Sequence, residues 1–242
     1  MDDPIEKRSK YLKLVEERKA CDACAGLGLT NPSRCCDGQF DSEHIGPWSG
    51  WQGNLDAEVL VIGQEWGDVD TFQEQRGHEQ PNNSTNALLI DLLAEIGISI
   101  AGPAQGRGFQ GRIFLTNAVL CLKRPEGGLG GAVRSRWFKN CRTKFLKPLI
   151  ETVRPKHVVC LGGKAYEAVL KAFELPRQEL REAVATMNGI PLPTGGTVYA
   201  VYHCGRRNQN FCRKADKQKE DWRRLGERMK QLHLTAIVGA TF

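Results

Sequence analysis

The sequence predicts an α/β fold, in which helices cover both faces of a mainly parallel sheet to form a three-layer α/β/α sandwich. Two observations support this prediction. Short apolar runs alternate with longer helical segments along the chain, as expected for parallel strands joined by crossover helices. The runs are apolar throughout, which is typical of strands buried on both faces. A chain of 242 residues suits one such fold, so we expect a single domain over residues 1–242.

The first 57 residues precede this alternation and differ from it in composition. Residues 3–20 are rich in charged helix formers, which predicts an exposed helix leading into Cys21-Asp22-Ala23-Cys24. Residues 25–57 are rich in Gly, Pro, Asn, Ser and Trp and have no clear periodicity. We therefore expect residues 1–57 to form an N-terminal extension, made of a helix and a long cysteine-containing loop.

The regular pattern begins after this extension. Strands are predicted at residues 59–63, 113–119, 157–162 and 197–203. Helices are predicted at residues 86–96, 134–152, 163–173 and roughly 209–232. Two of the helices have clear end signals, because Gly97 follows the first as a C-cap and Pro155 comes just after the second.

Composition narrows the class of function. The hydrophobic fraction of 40% is ordinary for a soluble protein, and no apolar run is long enough to span a bilayer. The first residues lack the apolar core of a signal peptide, so we expect a cytoplasmic monomer without membrane contact. The net charge of +6 favours a nucleic-acid partner, although many basic proteins bind no nucleic acid.

Polar side chains stand where three of the predicted strands end. Gln64 and Glu65 follow the first strand, Asn117 lies in the second, and His203 ends the fourth. The carboxyl ends of parallel strands meet at one edge of a sheet, which is where ligands bind in this class of fold. Any one of these residues alone is more typical of a cap or a turn. Together they predict a shared site.

Longer motifs surround these residues. They span residues 61–68, 114–121 and 201–208, with Cys141, Phe145-Leu146, Pro155-Lys156 and residues 161–165 in between. In this order the motifs resemble the uracil-DNA glycosylase superfamily, in particular its iron–sulfur branch, over residues 21–24 and 58–212. The resemblance implies the fold of that superfamily. It also implies a DNA glycosylase, which flips uracil or another base, including a modified one, out of DNA and hydrolyses its N-glycosidic bond.

Breaking this bond builds positive charge on the sugar and negative charge on the departing base. The resemblance aligns Glu65 with a water-activating carboxylate, and we expect it to orient the attacking water or to stabilise the cation. Asp68 is a second candidate for a catalytic carboxylate, and Asp70 a third. His203 is expected to donate a hydrogen bond to the base oxygen that gains charge.

The residues expected to bind the base come from the same motifs. Gln64 offers its backbone N–H and its amide, and the resemblance assigns base recognition to Asn117, whose amide has both an acceptor and donors. It also implies a Phe that stacks on the base, but residues 80–84 contain no aromatic side chain. Trp66 or Phe72 is expected to replace it, or the pocket is roomier and more polar. The identity of the base stays open.

A basic rim is expected to hold the DNA, double- or single-stranded, by its phosphates. Arg206 and Arg207 follow the last motif, and Lys164 lies near the start of a helix, where an N-terminus favours anions. Lys123 is a further candidate for a phosphate contact, and Phe211 for an apolar wedge. The basic residues of the last predicted helix alternate with acidic ones and are interpreted mostly as a solvated face.

Nine cysteines are many for a chain in a reducing compartment, where disulfides are rare. The resemblance implies a [4Fe–4S] cluster held by Cys21, Cys24, Cys121 and Cys141. A zinc ion held by Cys21, Cys24, Cys35 and Cys36 is the alternative, although adjacent cysteines make awkward joint ligands.

Other functions stay open at this point. One is a relative that binds a base covalently or without turnover. Another is a hydrolase of free nucleotides, which would have little affinity for DNA. A third is an iron–sulfur regulator that binds nucleic acid without cutting it.

Overall fold

The computed structural model describes residues 3–46, 53–78, 83–100, 113–124 and 134–239, with side chains described as far as residue 231. The strands are β1 (Leu29–Thr30), β2 (Val59–Gly63), β3 (Ile113–Asn117), β4 (Leu122–Lys123), β5 (His157–Leu161), β6 (Ile190–Pro191) and β7 (Thr197–Val201). The helices are α1 (Pro4–Ala20), α2 (Val69–Glu74), α3 (Ser84–Glu95), α4 (Ser135–Cys141), α5 (Lys147–Val153), α6 (Gly163–Ala172), α7 (Leu180–Thr186), α8 (Arg206–Phe211) and α9 (Ala215–Gly239).

The central sheet has five strands in the order β3-β2-β5-β7-β6. The first four strands in this order run parallel, and the edge strand β6 is antiparallel to β7. A separate two-stranded sheet pairs β1 with β4. The carboxyl ends of β2, β3, β5 and β7 therefore share one edge, as predicted.

Alternate residues of each strand face opposite helix layers. Leu60 and Ile62 pack with α1, with α6 and with the helical segment 135–153, in which a π-helical turn joins α4 to α5. Val59 and Val61 pack with α3, α7 and α9 on the other face. The described residues thus form the predicted three-layer α/β/α sandwich, because strands that are apolar throughout need a cover on both faces.

Several predicted elements differ in extent. The strand predicted at 197–203 ends at Val201, so His203 lies two residues beyond it. The strand predicted at 113–119 ends at Asn117, and beyond it Ala118 donates its backbone N–H to Gly63 at the end of β2 and Val119 to Gln64 in the following loop. The helix predicted over roughly 209–232 is two helices, α8 and α9, separated by a break near Arg213. The break places α8 at the carboxyl edge of the sheet, directly after β7.

Buried polar groups join the helix of the N-terminal extension to the long loop that follows it. The guanidinium of Arg18, which is 1% exposed, donates to both carboxylate oxygens of Asp41 at 2.7 and 2.8 Å. It also donates to the backbone oxygens of Ser42 and His44. Hydrogen bonds of this kind offset part of the cost of burying the two charges. The long loop of the extension is therefore held in a defined path where it is described.

Within the described part of the chain, no helix is long and apolar enough to cross a membrane.

Candidate active site

A cleft of about 770 Å³ opens at the carboxyl ends of β2, β5 and β7. Its lining includes seven of the predicted site residues: Gln64, Glu65, Trp66, Lys164, His203, Arg206 and Arg207. Polar and charged groups from three strand ends thus face one space, which is the arrangement expected of a ligand site in a parallel sheet.

Glu65 is held by donors on both of its carboxylate oxygens. The Gln64 amide donates to Oε2 at 2.5 Å, and the Lys123 ammonium donates to Oε1 at 2.8 Å. The side chains of Glu65 and Lys123 are only 13% and 19% exposed. The carboxylate is therefore oriented before any ligand binds. Such preorganisation is what electrostatic stabilisation of a transition state requires.

His203 has a defined proton arrangement. The backbone N–H of Gly205 donates to Nδ1 at 2.8 Å, so a neutral imidazole carries its proton on Nε2. Burial lowers the pKa of His203, while the charge of Glu65 acts in the opposite direction. At neutral pH the ring is thus a neutral donor at the cleft, close enough to Glu65 to feel its charge.

Gly162 allows His203 to lie against the end of β5. Its φ is +90°, in the region that favours glycine, and a Cβ there would lie 3.3 Å from the Cβ of His203. Another residue at this position would strain the turn and press on the imidazole.

Asn117 ends β3 directly opposite Gly63 in the parallel register. A Cβ on Gly63 would collide with the amide oxygen of Asn117. Glycine at the end of β2 therefore leaves the space that the Asn117 amide occupies. Asn117 lies one strand away from Glu65, outside the lining of the cleft.

Asp68 and Phe72 do not reach the cleft. The Asp68 carboxylate is the N-cap of α2 and accepts a hydrogen bond from the Thr71 N–H at 2.8 Å. Phe72 is fully buried in a small core with Cys35 and Leu122. Of the two aromatic candidates for stacking on a base, the structure brings only Trp66 to the cleft.

Trp66 lies on Gly46, where a side chain on the glycine would overlap the indole ring. The indole ring therefore packs against the N-terminal extension at Gly46. The resemblance implies a stacking Phe at residues 80–84, and residues 80–82 of this segment lie outside the described residues.

The predicted basic residues fall into two groups. Arg206 and Arg207 are exposed in the first turn of α8, and Lys164 is exposed in the first turn of α6. Lys123 instead has its ammonium against Glu65. Phe211 ends α8 and is 83% exposed, which is unusual for a large apolar side chain.

The structure adds cleft residues that the sequence analysis missed. Lys171, Arg177 and Gln178 line the side of the cleft formed by α6 and the segment after it. Helical spacing offered one signal, because Lys171 lies seven residues after Lys164 on the same helix face. The segment that carries Arg177 and Gln178 has no periodic pattern from which its position could be read.

The four cysteines of the predicted cluster lie near one another. Burial, together with the charges of Cys24 and Cys21, raises the pKa of Cys141 to about 12. The pKa of Cys121 is raised by burial and by the charges of the other three thiols. The Asn140 amide donates to the Cys24 sulfur at 3.4 Å. Among the described residues, however, no group of three or more His, Cys, Asp or Glu side chains could hold a metal ion.

Cys35 and Cys36 form a separate pair. Their sulfurs lie 4.0 Å apart, and the Gln73 amide donates to the Cys36 sulfur at 3.3 Å. Cys35 is buried beside Phe72 and Leu122. The pair belongs to a different small core from Cys21 and Cys24, which does not favour the zinc alternative.

The chain is similar to known proteins. The profile of the Uracil DNA glycosylase superfamily matches residues 51–226. The chain is 28% identical over 170 residues to the type-5 uracil-DNA glycosylase of Pyrobaculum aerophilum, an overlap of 69% of this chain and 67% of that protein. A solution NMR structure of a candidate uracil DNA glycosylase from Methanosarcina acetivorans covers 72% of this chain and 93% of its own, with 16% identity and a TM-score of 0.40.

The profile match contains every residue of the cleft lining, and it leaves Cys21 and Cys24 outside. It also covers β2, β3, β5 and β7, whose carboxyl ends form the site. The chain belongs to the uracil DNA glycosylase superfamily.

Proposed function

We propose that this protein is a DNA glycosylase, which hydrolyses the N-glycosidic bond of a flipped-out base and leaves an abasic site. One observation carries the proposal: an anchored carboxylate, Glu65, and a neutral imidazole donor, His203, share one cleft at the carboxyl edge of the sheet. Bond cleavage needs negative charge near the sugar and a donor near the base, and this pair supplies both.

In this mechanism Glu65 lies beside the sugar, where it stabilises the developing cation and orients the attacking water. The Nε2–H of His203 donates to the base oxygen on which negative charge builds. Because the Gly205 N–H already occupies Nδ1, the ring cannot turn over without losing that hydrogen bond. The donor is thus fixed before the base arrives, which lowers the reorganisation that the reaction requires.

Base recognition is assigned to Gln64, Asn117 and Trp66. Trp66 offers the ring on which a base can stack, and Gln64 lines the same cleft. Asn117 would act from the neighbouring strand end. We leave the base itself as uracil or another base, because the sequence of residues 80–84, where the resemblance implies a stacking Phe, contains no aromatic residue.

The DNA partner is supported by the exposed cations at the mouth of the cleft. Arg206 and Arg207 lie in the first turn of α8, and Lys164 lies in the first turn of α6. Phe211, exposed on the same short helix as the two arginines, is suited to fill the gap left by a base that flips out.

The test uses labelled oligonucleotides that each carry one uracil, hypoxanthine, xanthine or modified cytosine, in single and double strands, followed by alkali. We expect strand breaks at one of these bases and none with Glu65→Gln. A stable covalent adduct would support a base-binding relative without turnover. Tight binding without breaks at any base, or hydrolysis of free nucleotides only, would contradict the proposal.

We also propose that Cys21, Cys24, Cys121 and Cys141 hold a [4Fe–4S] cluster. Four neighbouring thiols, three of them buried, whose charges act on one another suit a polynuclear cluster, which spaces its ligands further apart than a single ion does. The Asn140 N–H, and a backbone hydrogen bond from Leu120 to Cys141, would stabilise thiolates there. Such a cluster would tie the N-terminal extension to the loop after β3.

Visible absorption, iron and acid-labile sulfide are measured on protein purified without oxygen. We expect iron and sulfide in the wild-type protein and their loss in Cys141→Ser. The matched control is Cys160→Ser, since Cys160 is equally buried but lies in the middle of β5. Zinc in place of iron, retained in Cys141→Ser but lost in Cys35→Ser, would support the alternative site.

A further inference from the structure

Lys123, in β4, is hydrogen-bonded through its backbone to the loop that carries Glu65. Its backbone N–H donates to the Gly67 oxygen at 2.8 Å, and its main chain pairs with Asp68. On the other side it pairs with Leu29 in the two-stranded sheet. The Lys123 main chain is therefore held from two directions, which leaves its ammonium a small range of positions around the carboxylate.

The other cations of the cleft are differently placed. Arg206, Arg207 and Lys164 are exposed, whereas the Lys123 side chain is 19% exposed and its ammonium contacts Oε1 of Glu65 at 2.8 Å. An ammonium in this position has little surface to offer to a phosphate. Its partner, in contrast, is the carboxylate on which the proposed chemistry depends.

A carboxylate in a cleft with several cations needs an anchor. Without one, Glu65 would turn toward whichever cation of the rim approaches, because exposed ion pairs form and break at little cost. Lys123 and the Gln64 amide together take both oxygens and hold the group on the β4 side. Each oxygen keeps a second lone pair for a water molecule or for contact with the sugar.

We propose that Lys123 is a positioning residue that holds the Glu65 carboxylate in one orientation toward the sugar, and that it is not a contact to the DNA backbone. This inference rests on the proposed function of Glu65. It replaces the phosphate contact expected from sequence for Lys123, and it distinguishes this lysine from the arginines at the mouth of the cleft.

The experiment compares Lys123→Met and Lys123→Arg with the wild-type protein, on the DNA substrate that the oligonucleotide test identifies. Misplacing a reacting group by about 1 Å costs up to about 100-fold, so we expect Lys123→Met to lower the single-turnover rate at saturating DNA by about 10- to 100-fold. The dissociation constant for DNA and its salt dependence should stay unchanged. Lys123→Arg, which keeps a donor and a charge, should recover most of the rate.

The matched control is Lys156→Met. Lys156 also contacts a glutamate at 2.8 Å, Glu58, but at the amino end of the sheet. We expect it to change neither rate nor binding. If Lys123→Met instead weakens DNA binding, with a salt slope shallower by about one and an unchanged rate at saturation, Lys123 is a phosphate contact and the inference is wrong.

A second measurement separates this inference from the proposed function. In protein labelled with ¹³C at glutamate carboxyl groups, the Glu65 resonance is assigned by its loss in Glu65→Gln. We expect it to shift in Lys123→Met, to stay near its wild-type position in Lys123→Arg, and to be unaffected by Lys156→Met. This holds even if no base is excised. A Glu65 resonance unchanged in Lys123→Met, or a general loss of folded protein in that variant, would overturn the inference.

Discussion

The two ends of the central sheet carry the same kinds of groups in different surroundings. At the carboxyl end, Glu65 pairs with Lys123 at 2.8 Å and lies near His203. At the amino end, Glu58 pairs with Lys156, also at 2.8 Å, but the two side chains are 26% and 49% exposed. The Glu65 pair is more deeply covered. Similar composition thus has different consequences, because burial decides how firmly a charge pair is fixed in place.

The space at each end differs as well. The carboxyl end opens into a cleft of about 770 Å³, whereas a depression of about 390 Å³ near His44 and Asn54 lies at the amino end. Burial lowers the pKa of both His44 and His203. His203 faces the cleft, while His44 sits among residues that hold the N-terminal extension. A shifted histidine marks a reactive site here only where it also faces an open space with a carboxylate.

The largest expected effect distinguishes the two glutamates. Glu65→Gln removes the anion near the sugar, and losing such a stabilising group typically costs about 10²- to 10³-fold in rate. We expect single-turnover excision to fall by that amount. Glu58→Gln, in the matched pair at the amino end, should leave the rate within about two-fold of wild type, as exposed pairs contribute little. Equal losses in the two variants would remove the difference between the ends.

The two histidines give the next prediction, which concerns pH. His203 has its pKa lowered below the ordinary 6.5, so below that pH the unfolded chain takes up a proton before the folded chain does. The free energy of unfolding therefore falls as the pH drops from about 6.5 toward the folded pKa. In His203→Gln this loss should be smaller. Urea unfolding between about pH 5 and pH 7.5 measures it.

His44→Gln should reduce the same loss, since the pKa of His44 is lowered by burial too. The variants should differ in activity: His203→Gln is expected to lower the excision rate by about 100-fold, and His44→Gln to leave it unchanged. A pH dependence of stability that neither variant alters would contradict the assignment of both shifts.

A smaller effect is expected from the rim. Arg206→Ala should weaken DNA binding several-fold and make the plot of log K against log salt shallower by about 0.9, the value for one phosphate contact. The rate at saturating DNA should change little. Lys156→Met, which removes a positive charge at the amino end, should leave the slope unchanged. Equal slope changes would indicate a general effect of net charge.

The smallest effect is expected from two glycines. Gly162 and Gly195 have similar positive φ values of +90° and +94°, one at each end of the sheet. Replacing either by Ala should cost about 1 kcal/mol of stability through backbone strain. Only Gly162→Ala brings a Cβ to His203, so it alone should also reduce excision, by several-fold. Thermal unfolding and single-turnover rates together test this pair.

The parts predicted well from sequence are those with a repeating physical signal. The strands β2, β3, β5 and β7 are buried on both faces, so an uninterrupted apolar run identifies them. Two-residue strands such as β1 and β4 carry no such run. The carboxyl ends of parallel strands must share an edge, which is why the sequence alone predicts that Glu65 and His203 belong to one site.

The partners of individual side chains were harder to predict from the sequence. That Phe72 lies in a separate core and that Asp68 caps a helix depend on the direction in which α2 leaves β2, which no local pattern specifies. From its charge, Lys123 was predicted to contact a phosphate. Its pairing with Glu65 follows from backbone hydrogen bonds between two loops, and these leave no signature in the sequence.

The segment after β3 has a consequence for redesign of this protein. Three backbone N–H groups after β3 donate to the end of β2 and to the loop that follows it. They are Ala118 to the oxygen of Gly63, Val119 to that of Gln64, and Lys123 to that of Gly67. An insertion or deletion between Asn117 and Lys123 would shift either the residue before it or the residue after it by a whole peptide unit. Attempts to change substrate range by varying loop length should therefore leave this loop intact and use the segment around Arg177, which borders the same cleft from the other side.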